Sequence, residues 1–363
     1  MNGFERISRV LAHRPTDRVP MMLHNFMPAA REAGMTMSEF RSKPENIARA
    51  FVDASMRYGL DGILTDVDTA LEAYALGAGA EFPDDLPAKV TTPISDQIEE
   101  VIEAIDPEKL QTDERIQIYL EAIRLIHRNI GGELFLRGNA DQGPFSLATA
   151  VFGMSNMMMA LTDEKQSESI LTLIERCYDV HWAFHVMVKD AGADMTSFGD
   201  SMGSPDLISP KMFRKFVAPF HRRLVSDLAA RNIQTVCHIC GKTDRILEDW
   251  SASGFSGVEL DYKTDIPQAA AAMRNRSVVF GVVDPSGVFC FGDKSAIEQS
   301  TQAVMDCFPD GGLVIGAGCA LPAETPSANI EAFVQTVLAR SHTPGTTRST
   351  APSPALYWDN GKT

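Results

Sequence analysis

Short apolar runs, several rich in Val and Ile, recur along the chain and end on Gly, Asp, Asn or Pro, with long amphipathic stretches between them. Eight stand out, at residues 19–25, 62–66, 133–139, 194–200, 234–240, 257–261, 278–283 and 313–318. Runs this short, bounded by turn formers, read as strands. The stretches between them, including 97–130, 163–190 and 210–231, space their apolar residues as helices do, with charges interleaved. The opening MNGFERISRVLAHRP places Glu5, Arg6 and Arg9 among apolar residues and reads as an amphipathic helix. Strand and helix in alternation predict a parallel sheet with helical crossovers. A doubly wound open sheet would give the same pattern, but eight strands favour a closed (β/α)8 TIM-type barrel of the α/β class.

In such a barrel the reactive groups gather where strands end and loops to the helices begin. Asp66, Asn139, Asp200, His238 and Asp284 all fall at such ends. The barrel is expected to occupy residues 1–340. Residues 341–363 are rich in Ser, Thr, Pro and Gly, and are expected to form a flexible tail.

The 363 residues are 44% hydrophobic and 22% charged, as in a globular protein. No run approaches the roughly 18 apolar residues that a membrane helix needs, and the N-terminus lacks the apolar centre of a signal peptide. A soluble, cytoplasmic protein is expected. A formal charge of −15 disfavours nucleic acid as a partner. Six cysteines scattered through a chain without secretory features argue against a disulfide framework, so clustered Cys and His read as metal or catalytic groups. There is no P-loop, and Gly316-Ala317-Gly318 lacks the third glycine of a dinucleotide fingerprint.

The fifth run reads Thr235-Val236-Cys237-His238-Ile239-Cys240-Gly241. Residues two apart on a strand share a face, so His238 and Cys240 can grip one ion at the barrel mouth while Cys237 and Ile239 point into the helix layer. Cys319 follows the eighth run at the same end. Two thiolates and an imidazole suit Zn²⁺ and leave its fourth position open, where a substrate thiol would lose its proton. By spacing alone, a His-x-Cys pair in a strand serves packing as readily as metal binding. Glu259, ending the sixth run, reads either as a resting fourth ligand or as a hydrogen-bonding carboxylate beside the ligands. Asp66, Asn139, Asp200 and Asp284 read as contacts to substrate or cofactor, or as caps of the following helices. His24 reads as a cleft residue or a locally satisfied histidine. Met154, Met157, Met158 and Met159 read as core, or as an adaptable surface for a large flat cofactor.

The segments Val236-Cys237-His238-Ile239-Cys240-Gly241-Lys242-Thr243 and Gly316-Ala317-Gly318-Cys319, with Thr325-Pro326, resemble the zinc motif of the methylcobalamin:coenzyme M and chloromethane-utilising methyltransferases. These belong to the uroporphyrinogen decarboxylase superfamily. The resemblance runs to about residue 340 and includes Asp66 in Ile63-Leu64-Thr65-Asp66, Gly143-Pro144-Phe145-Ser146-Leu147-Ala148 and Gly281-Val282-Val283-Asp284-Pro285. It implies a single (β/α)8 barrel, His238, Cys240 and Cys319 as zinc ligands, and methyl transfer between a corrinoid such as methylcobalamin and a thiol. No DxHxxG-type corrinoid motif is present, so the cobalamin is expected on a separate corrinoid protein or as free cofactor.

Three rivals remain. One is demethylation of a methylated O- or S-substrate onto the corrinoid. Another is a decarboxylase, for which the arginines of an RQAGR-type segment are missing at Met21-Met22-Leu23-His24-Asn25-Phe26, and Ala317 stands where a GHG-type strand end carries His. The last is a non-catalytic protein in which zinc staples two strands.

Overall fold

The computed structural model describes residues 1–340; the expected tail, 341–363, lies outside the described residues. Eight parallel strands form the sheet: β1 (Met22–Leu23), β2 (Gly62–Thr65), β3 (Phe135–Gln142), β4 (Met195–Gly199), β5 (Thr235–Ile239), β6 (Gly257–Leu260), β7 (Val278–Val283) and β8 (Leu313–Ala317). Each pairs with its sequence neighbours, and a parallel bridge from Met21 to Ile315 brings β8 back to β1. The Ile315 amide donates to the Pro20 carbonyl at 2.9 Å across this seam. The result is a closed barrel, and the open-sheet alternative is set aside.

Helix α1 (Gly3–Leu11) precedes the first strand, and its start carries a capping box between Asn2 and Glu5. The crossovers that follow β1 to β8 end in α2 (Pro44–Tyr58), α3 (Glu114–Ile130), α4 (Ser167–Asp190), α5 (Ala218–Ala229), α6 (Leu247–Ser251), α7 (Ile266–Met273), α8 (Lys294–Asp306) and α9 (Ser327–Arg340). Strand parity divides the apolar residues into two clusters. Met22, Leu64, Phe135, Met195, Val236, Phe280 and Val314 fill the lower barrel and meet Ile7 and Val10 of α1, which closes the N-terminal end. Their neighbours Leu23, Ile63, Leu136, Cys237, Val258 and Ile315 face outward into the helix layer. With one end plugged, the C-terminal mouth is the open end of the barrel, where chemistry gathers in this fold. Among the described residues no helix is long and apolar enough to cross a membrane.

Several boundaries differ from the sequence reading. The 19–25 run pairs over only two residues, because the chain turns at Asn25 into a short helix at Phe26–Glu32. The 97–130 stretch is three helices rather than one, interrupted before Pro107, where the preceding residue disfavours the helical region. The 210–231 stretch breaks at Val217, just before Pro219. Strand β3 runs on to Gln142 through a register shift, with Asp141 at φ 49°.

The glycines flanking Ala317 answer to close approach of backbones. A Cβ on Gly316 would stand 1.9 Å from the Met22 carbonyl oxygen, and one on Gly318 would stand 2.8 Å from that of Leu260. Both contacts draw the end of β8 inward and set Cys319 beside the end of β5. Gly316→Ala must therefore push β8 off β1, and is expected to cost about 2–4 kcal/mol of stability. Denaturant unfolding measures this; an unchanged midpoint would show that the seam yields freely.

Candidate metal centre

His238 is the fourth residue of β5 and Cys240 follows the strand's last residue, so both project into the mouth while Cys237 is buried behind them. The chain turns sharply after Cys240 because Gly241 adopts φ 92° and its amide donates to Asp261 Oδ2 at 2.7 Å. His238 Nδ1 lies 3.1 Å from the Glu259 carbonyl oxygen on neighbouring β6. A carbonyl only accepts, so Nδ1 carries a proton and Nε2 is turned toward the cysteines. Nε2 lies 3.0 Å from Cys240 Sγ, which lies 3.7 Å from Cys319 Sγ. One ligand atom from each of His238, Cys240 and Cys319 falls within 4.8 Å of the others. The sequence separates Cys319 from Cys240 by 79 positions; barrel closure brings them together.

The charges of the three are interdependent. Cys240 is held far below the usual thiol range, at about 3, chiefly by a hydrogen bond from Cys319; burial opposes this and His238 reinforces it. Burial alone would depress His238, but the Cys240 thiolate overrides it and pushes the imidazole up to about 9. Cys319 is raised well above its usual range by its hydrogen bond to Cys240 and by burial. A thiolate thus sits between two proton donors, and a divalent cation has the charge to replace both protons. Two soft sulfurs and one imidazole nitrogen are the donor set that zinc takes, so the residues present fit that ion.

Around the triad lies a chain of buried ionic groups. Arg137 on β3 pairs with the Glu259 carboxylate, and each residue is only 3% exposed. Burial raises Glu259, but Arg137, His238 and His24 together bring it down to about 2. Among the described residues the Glu259 carboxylate stands outside the group of ligand atoms. His24 lies between two carboxylates, with Nε2 2.7 Å from Asp66 Oδ2 and Nδ1 3.8 Å from Glu259 Oε1.

The other expected polar contacts separate by environment. Asp66 and Asn139 reach the mouth, Asp66 on His24 and Asn139 at 3.5 Å from the Ser197 hydroxyl. Asp200 is instead fully buried, accepting from the Ser146 amide at 2.8 Å and bonded to His221 Nε2 at 2.8 Å. Asp284 caps the loop after β7, taking the Ser286 and Gly287 amides at 2.9 Å each. Of the methionines, Met157 is core, whereas Met154 and Met159 are exposed.

Arg137 escapes a reading that looks only at strand ends. The available signal for Arg137 was a charge two positions from Phe135 and two from Asn139, on the inward face of a buried strand. Exposed large apolar side chains lie on the segments between strands and the helices of the crossovers: Phe82 and Leu86 after β2, Met159 after β3, Leu207 after β4, Tyr262 after β6 and Phe291 after β7.

The sequence model of the family described as Uroporphyrinogen decarboxylase (URO-D) matches residues 2–339. A methylcobamide:CoM methyltransferase MtbA of Methanosarcina acetivorans is 26% identical over 338 residues, covering 91% of this chain and 96% of that protein. A uroporphyrinogen decarboxylase of Pseudoalteromonas atlantica is 25% identical over 352 residues, covering 92% and 96%. Among solved structures, a methyltransferase from Methanosarcina mazei shares the fold with a TM-score of 0.86 at 22% identity, covering 94% of this chain and all of that one. An eight-stranded parallel barrel matched almost end to end by this sequence model places the conclusion beyond the motifs alone: the chain belongs to the uroporphyrinogen decarboxylase family.

Proposed function

We propose that this chain is a zinc-dependent methyltransferase that moves a methyl group between a corrinoid and a thiol. The observation that carries the reading is the convergence of His238, Cys240 and Cys319 at the open mouth of the barrel. The names of relatives support it: MtbA of Methanosarcina acetivorans, and a methylated-thiol--coenzyme M methyltransferase of Methanosarcina mazei that is 26% identical over 279 residues. Zinc held by these residues supplies a Lewis acid that keeps a substrate thiol deprotonated near neutral pH.

The chain's own groups set the conditions for that chemistry. The Glu259 carbonyl fixes the His238 tautomer, so that Nε2 would be the nitrogen left to hold the ion. Two thiolates and a neutral imidazole cancel a divalent charge, which leaves a substrate sulfur able to react as a nucleophile. Arg137 holds Glu259 as a carboxylate beside the site. The plugged lower barrel directs substrates to the mouth, and the exposed apolar side chains on the segments after the strands suit a large flat corrinoid or the protein that carries it. A corrinoid brought to the mouth would supply the methyl group and would take up the electron pair of the bond it loses, while His238, Cys240 and Cys319 would hold the zinc that keeps the accepting sulfur deprotonated.

A second reading, methyl removal from a methylated thiol onto the corrinoid, is favoured by the name of the Methanosarcina mazei relative. Methylcobalamin turnover with a panel of alkyl thiols, followed by the absorbance of reduced corrinoid, tests the proposal. Turnover is expected to stop on chelation and return with zinc. No turnover with any thiol, but methylation of Co(I) corrinoid by methyl thioethers, would reverse the assignment. Turnover indifferent to chelation would overturn the zinc reading.

A further inference from the structure

Away from the metal centre, a set of buried titratable groups joins the segment after β2, the end of β3 and α4. Glu72, on the helix Leu71–Leu76, and His181 and His185, on α4, are fully buried, as is Asp141 at the end of β3. One Glu72 oxygen accepts the Gln142 amide at 3.0 Å, and the Glu72 amide donates to Asp141 Oδ2 at 3.0 Å. These two bonds fasten the helix to the end of β3, where Asp141 holds its left-handed φ of 49°. The other oxygen, Glu72 Oε1, faces His181 Nδ1 at 3.6 Å, and among the described residues neither atom has a hydrogen-bond partner. His181 Nε2 is taken up by His185 Nε2 at 2.9 Å, and His185 Nδ1 by the Thr196 hydroxyl at 2.7 Å.

The charged groups around the two carboxyls are engaged elsewhere. Arg115 pairs with Asp68, Lys109 donates to the Leu76 carbonyl at 3.0 Å, and Tyr119 donates to the Asn139 carbonyl at 2.7 Å. Asp66 is held by His24, and Asp200 by His221 and the Ser146 amide. Cys177, one turn before His181, is buried, and the helix Pro144–Phe152 carries no charged side chain. Burial pushes both histidines down, His181 to about 3, so neither brings a positive charge at neutral pH. Two ionised carboxyls here would be unpaired charges in a dry interior, and burial pushes both well above the usual carboxylate range. Asp141 has a donor on each oxygen, from the Glu72 amide and the Gln142 side chain, whereas Glu72 has a donor on one only. Glu72 is therefore the group that keeps its proton.

We propose that Glu72 is carried as the neutral acid opposite His181 and acts as a proton latch: while it holds the proton, the helix after β2 stays fastened to the end of β3, and its loss to solvent in alkali puts a charge beside Asp141 that loosens the two. The segment after β2 also carries Asp66 into the mouth, so the latch sets how firmly that side of the mouth is held. It operates whether or not a metal is bound.

Infrared spectra of the full chain and of Glu72→Gln test where the proton is. Wild type at pH 7 is expected to show the carbonyl stretch of a protonated carboxyl, and Glu72→Gln to lose it. No such band, or a band that survives in the variant and so belongs to Asp141, overturns the proposal. Hydrogen exchange, read by mass spectrometry on peptides covering 70–76 and 139–145, tests the latch. The folded value of Glu72 lies above the roughly 4.3 of an unfolded chain, so its stabilising share is complete below the unfolded value and is lost as the pH rises through the folded one. Exchange in these peptides is therefore expected to be alike in the two proteins at pH 6 and about tenfold faster in wild type at pH 9, because the variant has no proton to lose. Equal exchange at both pH values overturns the latch. If Glu72→Gln does not fold, wild type alone decides: the carboxyl band must fade with rising pH as exchange quickens in these two peptides relative to the rest of the barrel, and a fading band without that local change overturns the proposal.

Discussion

Cys240→Ala and Cys319→Ala are each expected to lower methyl transfer by roughly a thousandfold or more while leaving the barrel folded, because under the proposed function each would take one of three ligands from the zinc site. The fold has little stake in either side chain. Both cysteines are half-buried at the mouth, whereas the core lies in the plugged lower barrel and in the outer helix layer. Far-UV circular dichroism and the denaturation midpoint should stay close to wild type, within about 1 kcal/mol, while zinc content and turnover collapse. Two unfolded variants would instead mean that the ion staples β5 to β8, and the non-catalytic reading would take over.

Arg137→Met is expected to be the costliest change in stability, by about 3–5 kcal/mol at neutral pH, since it strands the Glu259 carboxylate in a buried site. The pH dependence separates charge from packing. In wild type the folded Glu259 titrates at about 2, below the roughly 4.3 of an unfolded chain. Its contribution is therefore complete above that unfolded value and is lost as the pH falls through the folded one. In the variant, burial without the cation lifts the folded value above the unfolded one, so the penalty is full at pH 7 and shrinks as acid protonates the carboxyl. Unfolding at pH 7 and pH 4 should show the gap between wild type and variant narrowing, and Arg137→Met combined with Glu259→Gln should recover part of the loss. A gap equal at both pH values would assign the cost to lost packing of the guanidinium over Phe280.

The strands and the meeting of His238, Cys240 and Cys319 were legible because both depend on local periodicity. Alternation along a strand puts His238 and Cys240 on one face whatever the rest of the chain does, and eight apolar runs imply the closure that carries Cys319 to them. Helix breaks before Pro107 and at Val217 were written in the prolines but hidden by apolar spacing that continues across them. The ionic surroundings were not legible. Asp66, Asp200 and Asp284 have the same residue type at equivalent strand ends, yet one pairs with a histidine at the mouth, one is fully buried and one caps a loop. What distinguishes them is the direction the chain takes after the strand, and which distant side chain meets it there. The Arg137–Glu259 pair likewise spans the barrel interior between β3 and β6, which are not neighbours in the sheet.

The central claim is that His238, Cys240 and Cys319 hold a zinc ion with room for a substrate thiol. X-ray absorption at the zinc edge, on the purified protein with and without added alkyl thiol, tests it most directly. The account predicts two sulfurs and at least one nitrogen around zinc in the resting protein, and a third sulfur once the thiol is present. A protein that takes up no zinc, or a zinc shell unchanged across a broad panel of thiols, would contradict it.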